Sequence, residues 1–374
     1  MLNYDVSILN TVSAHPTTIN NQDSTSITLI VGAGLAGCLL AWRLEQRGLA
    51  FRIIGSSSLP NAWSVAAGII NPVTGRWMTK SWNIDTLLPE AIRTYQSIER
   101  YFGIKVYYPM PVRRYCQNAE DVKRCGRRIR NPRYLGVVGN YCKAGAGPSA
   151  IRDTHGSFQI LKAGYVDLPV LIQALQKHFI AEGKLQDEQF NYSTLQANAG
   201  NWCYKNLKAK RVVFCEGTGV TRNPWFQHLP LTPAKGETLI LSSASLKLPP
   251  SIYHSTKWLL PYEAKRFRVG ATYDESDLDP TPTAAGQAEL LSNTKAILSE
   301  DHTLQVEAHM AGLRPSTQDA RPFLGRHPDA SGLFILNGLG SKGASVGPEM
   351  SRQLINHIFD NEALDHEVDI ARYT

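Results

Sequence analysis

The feature that most constrains this chain is the run LIVGAGLAGCLL, residues 29–40. It sets Gly32, Gly34 and Gly37 in a Gly-x-Gly-x-x-Gly pattern, a weak signal that its flanks strengthen. Residues 26–31, SITLIV, form a β-branched apolar run of the kind found in a buried parallel strand. After the glycines, Ala36, Leu40 and Leu44 recur every four residues while Arg43, Glu45, Gln46 and Arg47 are polar, predicting an amphipathic helix that stops at Gly48. Residues 50–55, AFRIIG, supply a second strand. The glycines therefore fall where a strand turns into a helix inside a βαβ unit. Gly32 permits the tight turn, Gly34 lets backbone approach a pyrophosphate, and Gly37 lets helix and strand pack closely. The anion would rest on the free N–H groups of the helix start. One expected part is missing: the acid that usually closes the second strand and binds the ribose is replaced by Gly55, followed by Ser56, Ser57 and Ser58.

The 374 residues suggest two intimate domains. Lys+Arg 39 against Asp+Glu 32 leaves a modest +7, too little to mark a nucleic-acid binder. Six scattered cysteines with no Cys-x-x-Cys pair argue for neither a zinc site nor a disulfide scaffold, and no metal is expected. Residues 1–25 lack the basic and apolar regions of a signal peptide and read as a disordered tail of a cytoplasmic protein. No apolar run approaches the roughly 18 residues of a membrane span.

Downstream, residues 61–77 form a small-residue loop in which Ser64, Ala66, Ala67, Gly68 and Ile69 leave room for a flat ligand against backbone. Residues 85–102 predict an amphipathic helix begun by Asp85. The basic run 112–133 reads first as the solvated face of one helix and alternatively as an RNA footprint. Residues 163–183 predict a turn and helix, and 210–220 a buried strand ending at Gly217 and Gly219. Residues 231–241, 257–262 and 266–273 predict antiparallel strands. Residues 333–359 return to strand, glycine loop and helix, with Gly338, Gly340 and Gly343 before the helix start. The pattern predicts an α/β fold. It has a Rossmann-like nucleotide domain assembled from 26–84, 151–222 and 316–374. A substrate domain on a mostly antiparallel sheet would take 85–150 and 223–315.

In order and spacing, VGAGLAG, SVAAGIINP, AGYVDLPVL, VVFCEGTG, PAKGE, VGATY, GLRPSTQDARPFLG and NGLGSKG together resemble the D-amino-acid oxidase-like flavin oxidoreductases, glycine/sarcosine oxidases in particular. The resemblance spans about residues 26 to 360. GLGSKG also resembles the oxidase half of the bifunctional enzyme that builds methylaminomethyl-uridine in tRNA. This implies FAD, noncovalent because no cysteine lies between Ala311 and Gly347. Gly32, Ala33, Gly34, Leu35, Ala36 and Gly37 would hold the pyrophosphate, with Gly55, Ser56 and Ser57 beside the ribose. The Ser64–Ile69 stretch would line the flavin and Gly217 approach it. Gly340, Ser341, Lys342 and Gly343, with Gly338, would face its pyrimidine edge.

Arg314 matches the family's carboxylate-binding arginine, and a planar guanidinium suits that task. Trp258, standing where a tyrosine is common, and Tyr273 would shape the pocket. Each has a plainer reading, Arg314 as an interdomain tie and the aromatics as core. Asp319, Arg321 and His309 read as structural. The implied reaction is oxidation of the C–N bond of a small amine or amino acid by hydride transfer to flavin N5, with oxygen or another acceptor regenerating the flavin. The rivals are an oxidase of a glycine-like group on tRNA and a non-catalytic flavin-binding protein.

Overall fold

The computed structural model describes residues 26–56, 61–263, 265–300 and 302–373, so the expected tail over 1–25 and Ser57 lie outside the described residues. A six-stranded sheet is built from β1 (Thr28–Val31), β2 (Phe51–Gly55), β3 (Leu185–Asp187), β4 (Arg211–Phe214), β5 (Phe323–Arg326) and β6 (Leu333–Asn337). Its order is β3-β2-β1-β4-β6-β5, parallel throughout except for the edge strand β5. Both faces are covered, which is why β1 reads as continuous apolar sequence. Ile30 turns toward the helices, while Leu29 and Val31 turn toward a three-stranded meander over 195–209.

The helices on the first face are α1 (Leu35–Gln46), α2 (Ile84–Phe102), α4 (Leu168–Ala181) and α6 (Gly343–Asp360). Two more, α3 (Ala119–Ile129) and α5 (Ala284–Ile297), flank the second sheet. That sheet has eight strands, from 305–314 at one edge through 234–242, 266–270, 258–263, 252–254, 112–115 and 157–160 to 138–142. It is antiparallel apart from the pairing of 252–254 with 112–115. No helix among the described residues is long and apolar enough to cross a membrane.

Three expectations change. The apolar stripe of α2, Leu87, Ala91, Tyr95 and Ile98, packs with α1 and α6, so this helix sides with the nucleotide sheet rather than the substrate sheet. Strand 157–160 pairs with 112–115 and 138–142, so the second crossing between sheets comes after 160 rather than at 151. The basic run is a strand and then a shorter helix, not one helix. Several of its guanidinium groups also build the fold. Arg124 donates to Arg76 O, and Arg128 donates to Met78 O and Trp77 O, fastening loop 75–78 to α3.

Candidate active site

One cavity of about 770 Å³ is walled by both sheets, running from the start of α1 to Arg314. At the α1 end the wall is mostly backbone. Gly32 sits at φ +107°, and a Cβ there would come 2.4 Å from Cys215 O; one on Gly37 would come 1.9 Å from Gly32 O. No side chain but hydrogen fits either place. Gln176 Nε2 of α4 donates to Ala33 O at 2.7 Å, and Cys38 Sγ to the same oxygen at 3.2 Å, fixing the turn.

Helix starts differ in how they are capped, and α2, which has no side-chain cap, carries Asp85 in its first turn. α3, α4 and α5 are capped by the side chains of Asn118, Asp167 and Thr283. α1 and α6, whose starts face the cavity, have no side-chain cap and no acid in the first turn. Leaving those N–H groups uncapped keeps them, and the positive end of each helix, available to an anionic ligand.

Around the middle, loop 61–68 lies over the antiparallel sheet. Arg268, 5% exposed, donates to Val65 O at 3.0 Å and Ala66 O at 3.3 Å, so a buried cation on strand 266–270 sets the height of that loop. Burial holds this guanidinium below its ordinary pKa. Asn337 at the end of β6 donates to Gly217 O at 2.9 Å and accepts from Gly338 N at 2.8 Å, joining the two glycine loops at the strand ends. Sequence reasoning missed both residues, because each acts on a segment more than a hundred positions away.

At the far end, Arg314 closes strand 305–314. Its Nη1 donates to Lys235 O and its Nη2 to Thr272 O, each at 3.0 Å, and the guanidinium stands 5.5 Å from the Tyr273 ring. It lies flat over Gly236, where a Cβ would fall 1.9 Å from Nη2. Among the described residues no carboxylate lies within ion-pair distance of it, and burial holds its pKa below the usual arginine value. Trp258 forms the neighbouring wall, packed against Gly270.

Of the residues expected here, Gly32, Ala33, Gly34, Leu35, Ala36, Gly55, Ser56, Ala66, Ala67, Gly68, Ile69, Gly217, Gly340, Ser341, Gly343, Trp258 and Arg314 line the cavity. Others stand back from the wall. Gly37 and Gly338 shape turns behind it; Ser64 accepts no place on it and its N–H donates to Asn61 Oδ1. Lys342 is the residue before α6 but its side chain does not reach the wall. Tyr273 is exposed, donates to Glu275 Oε1 at 2.9 Å and stands beside Arg314, off the cavity wall. His309 bonds the buried Glu237 at 2.6 Å, Asp319 accepts from Arg372 and Tyr373, and Arg321 pairs with Glu367, all away from the wall.

The model of the FAD dependent oxidoreductase family matches residues 28–356. The chain belongs to that family. Glycine oxidase of Bacillus subtilis (strain 168) is 30% identical over 149 residues, 39% of this chain and 40% of its own length. The tRNA 5-methylaminomethyl-2-thiouridine biosynthesis bifunctional protein MnmC of Marinobacter nauticus is 26% identical over 360 residues, 90% of this chain and 56% of its own. The chain thus spans less than two thirds of the curated relatives named here. Among solved structures, iminodiacetate oxidase of Chelativorans sp. BNC1 superposes with a TM-score of 0.75 at 25% identity, covering 93% of this chain and 98% of that one. Glycine oxidase of Geobacillus kaustophilus reaches 0.78 at 20% identity, covering 94% and 98%.

This FAD-dependent oxidoreductase fits its cofactor on its own geometry. The glycine turn and the uncapped α1 start suit a pyrophosphate, the backbone-lined middle suits a flat ring system, and the uncapped α6 start lies where negative charge is stabilised.

Proposed function

We propose that this flavoenzyme oxidises the C–N bond of a small amine that carries a carboxylate. The observation that carries the reading is Arg314: a desolvated cation on the cavity wall, oriented by two backbone carbonyls, with no carboxylate partner among the described residues. A buried charge without a counter-ion is costly, and a substrate carboxylate completes it through two parallel hydrogen bonds. Glycine and iminodiacetate, in the names of the similar oxidases, both place an amine one carbon from a carboxylate.

Anchoring that carboxylate on Arg314 fixes where Cα and the amine stand, with Trp258 as the apolar wall. FAD, when bound, supplies the two-electron acceptor for the hydride that leaves Cα. The nitrogen lone pair closes the C=N bond as the C–H bond breaks, and water then hydrolyses the iminium to a carbonyl and a released amine. Among the described residues the wall around Arg314 and Trp258 holds no histidine or carboxylate; Asp187 and Glu216 line the opposite end. The chain's part is therefore positioning, and the amine must arrive neutral. Oxygen or another acceptor then takes the electrons.

The test is anaerobic mixing with glycine, N-methylated glycines, D- and L-amino acids and cyclic amines of the proline type. One class is expected to bleach the flavin absorbance, with a rate that rises with pH through the amine's own pKa. If none bleaches it, the chain is a flavin-binding protein without this activity.

A second reading, a glycine-like group carried on tRNA, is favoured by the alignment with MnmC along 90% of this chain. It requires tRNA binding that weakens steeply with salt. Against it, Arg124 and Arg128 of the basic run are engaged in the fold.

A further inference from the structure

We propose that Asp187 supplies the ribose-binding carboxylate that β2 lacks, so that the acid of this nucleotide site comes from the neighbouring strand. The inference rests on the cradle holding FAD. In a βαβ cradle the acid that accepts from the ribose hydroxyls stands at the end of the second strand. Gly55 occupies that place, and a Cβ there would fall 2.6 Å from Ala33 N, so no acid fits. β3 runs parallel beside β2, and Asp187 lies opposite Gly55 in register. Parallel neighbours in register present their side chains on one face of the sheet, roughly 4.8 Å apart. Asp187 therefore faces the same side as the missing acid, displaced by one strand, and both positions line the cavity.

The direction of the ligand agrees. With the pyrophosphate on α1, the reacting end must extend toward Arg314 and Trp258. The adenosine end then leads the other way, over β2 and β3, where Asp187, Gln189 and Phe190 form the wall. Neither nearby acid stands in register with Gly55: Glu188 accepts from Tyr204, Lys205 and Gln186, and Glu216 accepts from Tyr192 and Asn223. Asp187 is exposed at the sheet edge, within reach of a ligand that lies over β2 and β3.

The experiment uses the full-length holoenzyme. It is equilibrated with ADP, 2′-deoxy-ADP, 3′-deoxy-ADP or pyrophosphate, and released FAD is read in the ultrafiltrate for wild type, Asp187→Asn, Asp187→Glu and Glu216→Gln. Wild type is expected to discriminate ADP from a deoxy analogue by about tenfold, the scale of a charge-assisted hydrogen bond. Asp187→Asn should bind FAD at least about tenfold more weakly and reduce that discrimination below about threefold, with pyrophosphate competition unchanged and partial recovery in Asp187→Glu. Full hydroxyl discrimination in Asp187→Asn, or its loss in Glu216→Gln instead, would overturn the assignment. So would an equal loss of pyrophosphate competition, which would make Asp187 a support of the cradle. A protein that retained no FAD in any form would instead refute the cofactor, a separate failure.

Discussion

The two ends of the cavity are built by opposite means. At the start of α1 the wall is backbone: a turn of glycines, uncapped N–H groups and a helix end. At Arg314 the wall is side chain, and the groups that orient it come from strands separated by up to 79 positions, Lys235 O on one and Thr272 O beyond another. A backbone site tolerates almost no change in shape but asks little of side-chain chemistry. A side-chain site is the reverse. On the proposed function, one end serves a constant cofactor while the other can be retuned for different amines.

The sharpest way to break this contrast is at the turn. Gly32→Ala forces a side chain into φ +107° and onto Cys215 O, both fixed backbone. Strain and overpacking together should cost roughly 3–5 kcal/mol, enough for the purified variant to carry little or no FAD. A variant with full flavin absorbance and an unchanged Tm would refute the backbone account. The next largest effect belongs to the other end. Arg314→Ala should retain FAD while kcat/KM for the amine falls by roughly 10²–10³, the loss of two charge-assisted hydrogen bonds. Gly236→Ala sharpens the point without touching Arg314. The obstructed neighbour is the far end of a flexible side chain, so the fold should survive, but the guanidinium must leave its place. KM is expected to rise about tenfold or more with FAD content intact, and unchanged KM would show that the guanidinium's seat on Gly236 is unimportant.

The same contrast explains what could be read from sequence. Gly32, Gly34 and Gly37 were legible because the turn constrains residues a few positions apart, each by a local steric rule. So were the buried strands and the long helices, whose periodicity is local too. Gly236, Arg268 and Asn337 were not, because nothing near them in sequence shows which distant backbone they will meet. Arg314 was legible only through the family's motif, while its orienting carbonyls depend on strand register. Polar residues misled for a related reason. Arg43 looked like the solvent face of α1, yet it donates to Glu90 and Thr94 of α2 and to Ser351 and Pro348 O of α6, binding three helices together. Tyr273, expected to shape the pocket, stands exposed beside Arg314 and off the cavity wall.

A smaller effect separates the two sheets by pH. His254 lies in the antiparallel sheet with Nδ1 buried and unpartnered among the described residues. Burial, with the charge of Arg114 beside it, pushes its pKa down to about 4 from an ordinary 6.5. The unfolded chain then binds the proton more readily than the folded one, so stability is full above about pH 6.5 and is lost as pH falls toward 4. Between about pH 7 and about pH 5.5 this one group should remove about 1 kcal/mol, measurable by denaturant titration. His254→Leu is expected to flatten that slope. An unchanged slope would assign the acid sensitivity elsewhere.

The smallest effect returns to the nucleotide end and asks whether it is as purely backbone as its wall suggests. Gln176 reaches from α4 along the cavity wall to Ala33 O, a side-chain bond that positions the turn. If the cradle's shape is set by Gly32 and Gly37 alone, Gln176→Leu should leave FAD affinity untouched. If the turn also needs support from α4, the lost bond is worth about 1 kcal/mol, or about fivefold in the FAD dissociation constant. Weakening is the expected result, since Ala33 O would then keep only the weak thiol donor of Cys38. Because Gln176 lies far from Arg314 along the cavity, kcat and KM of the flavin-saturated enzyme should not move. A change in turnover at saturating FAD would mean that the two ends are coupled through the turn, and that the backbone site also sets the geometry of the side-chain site.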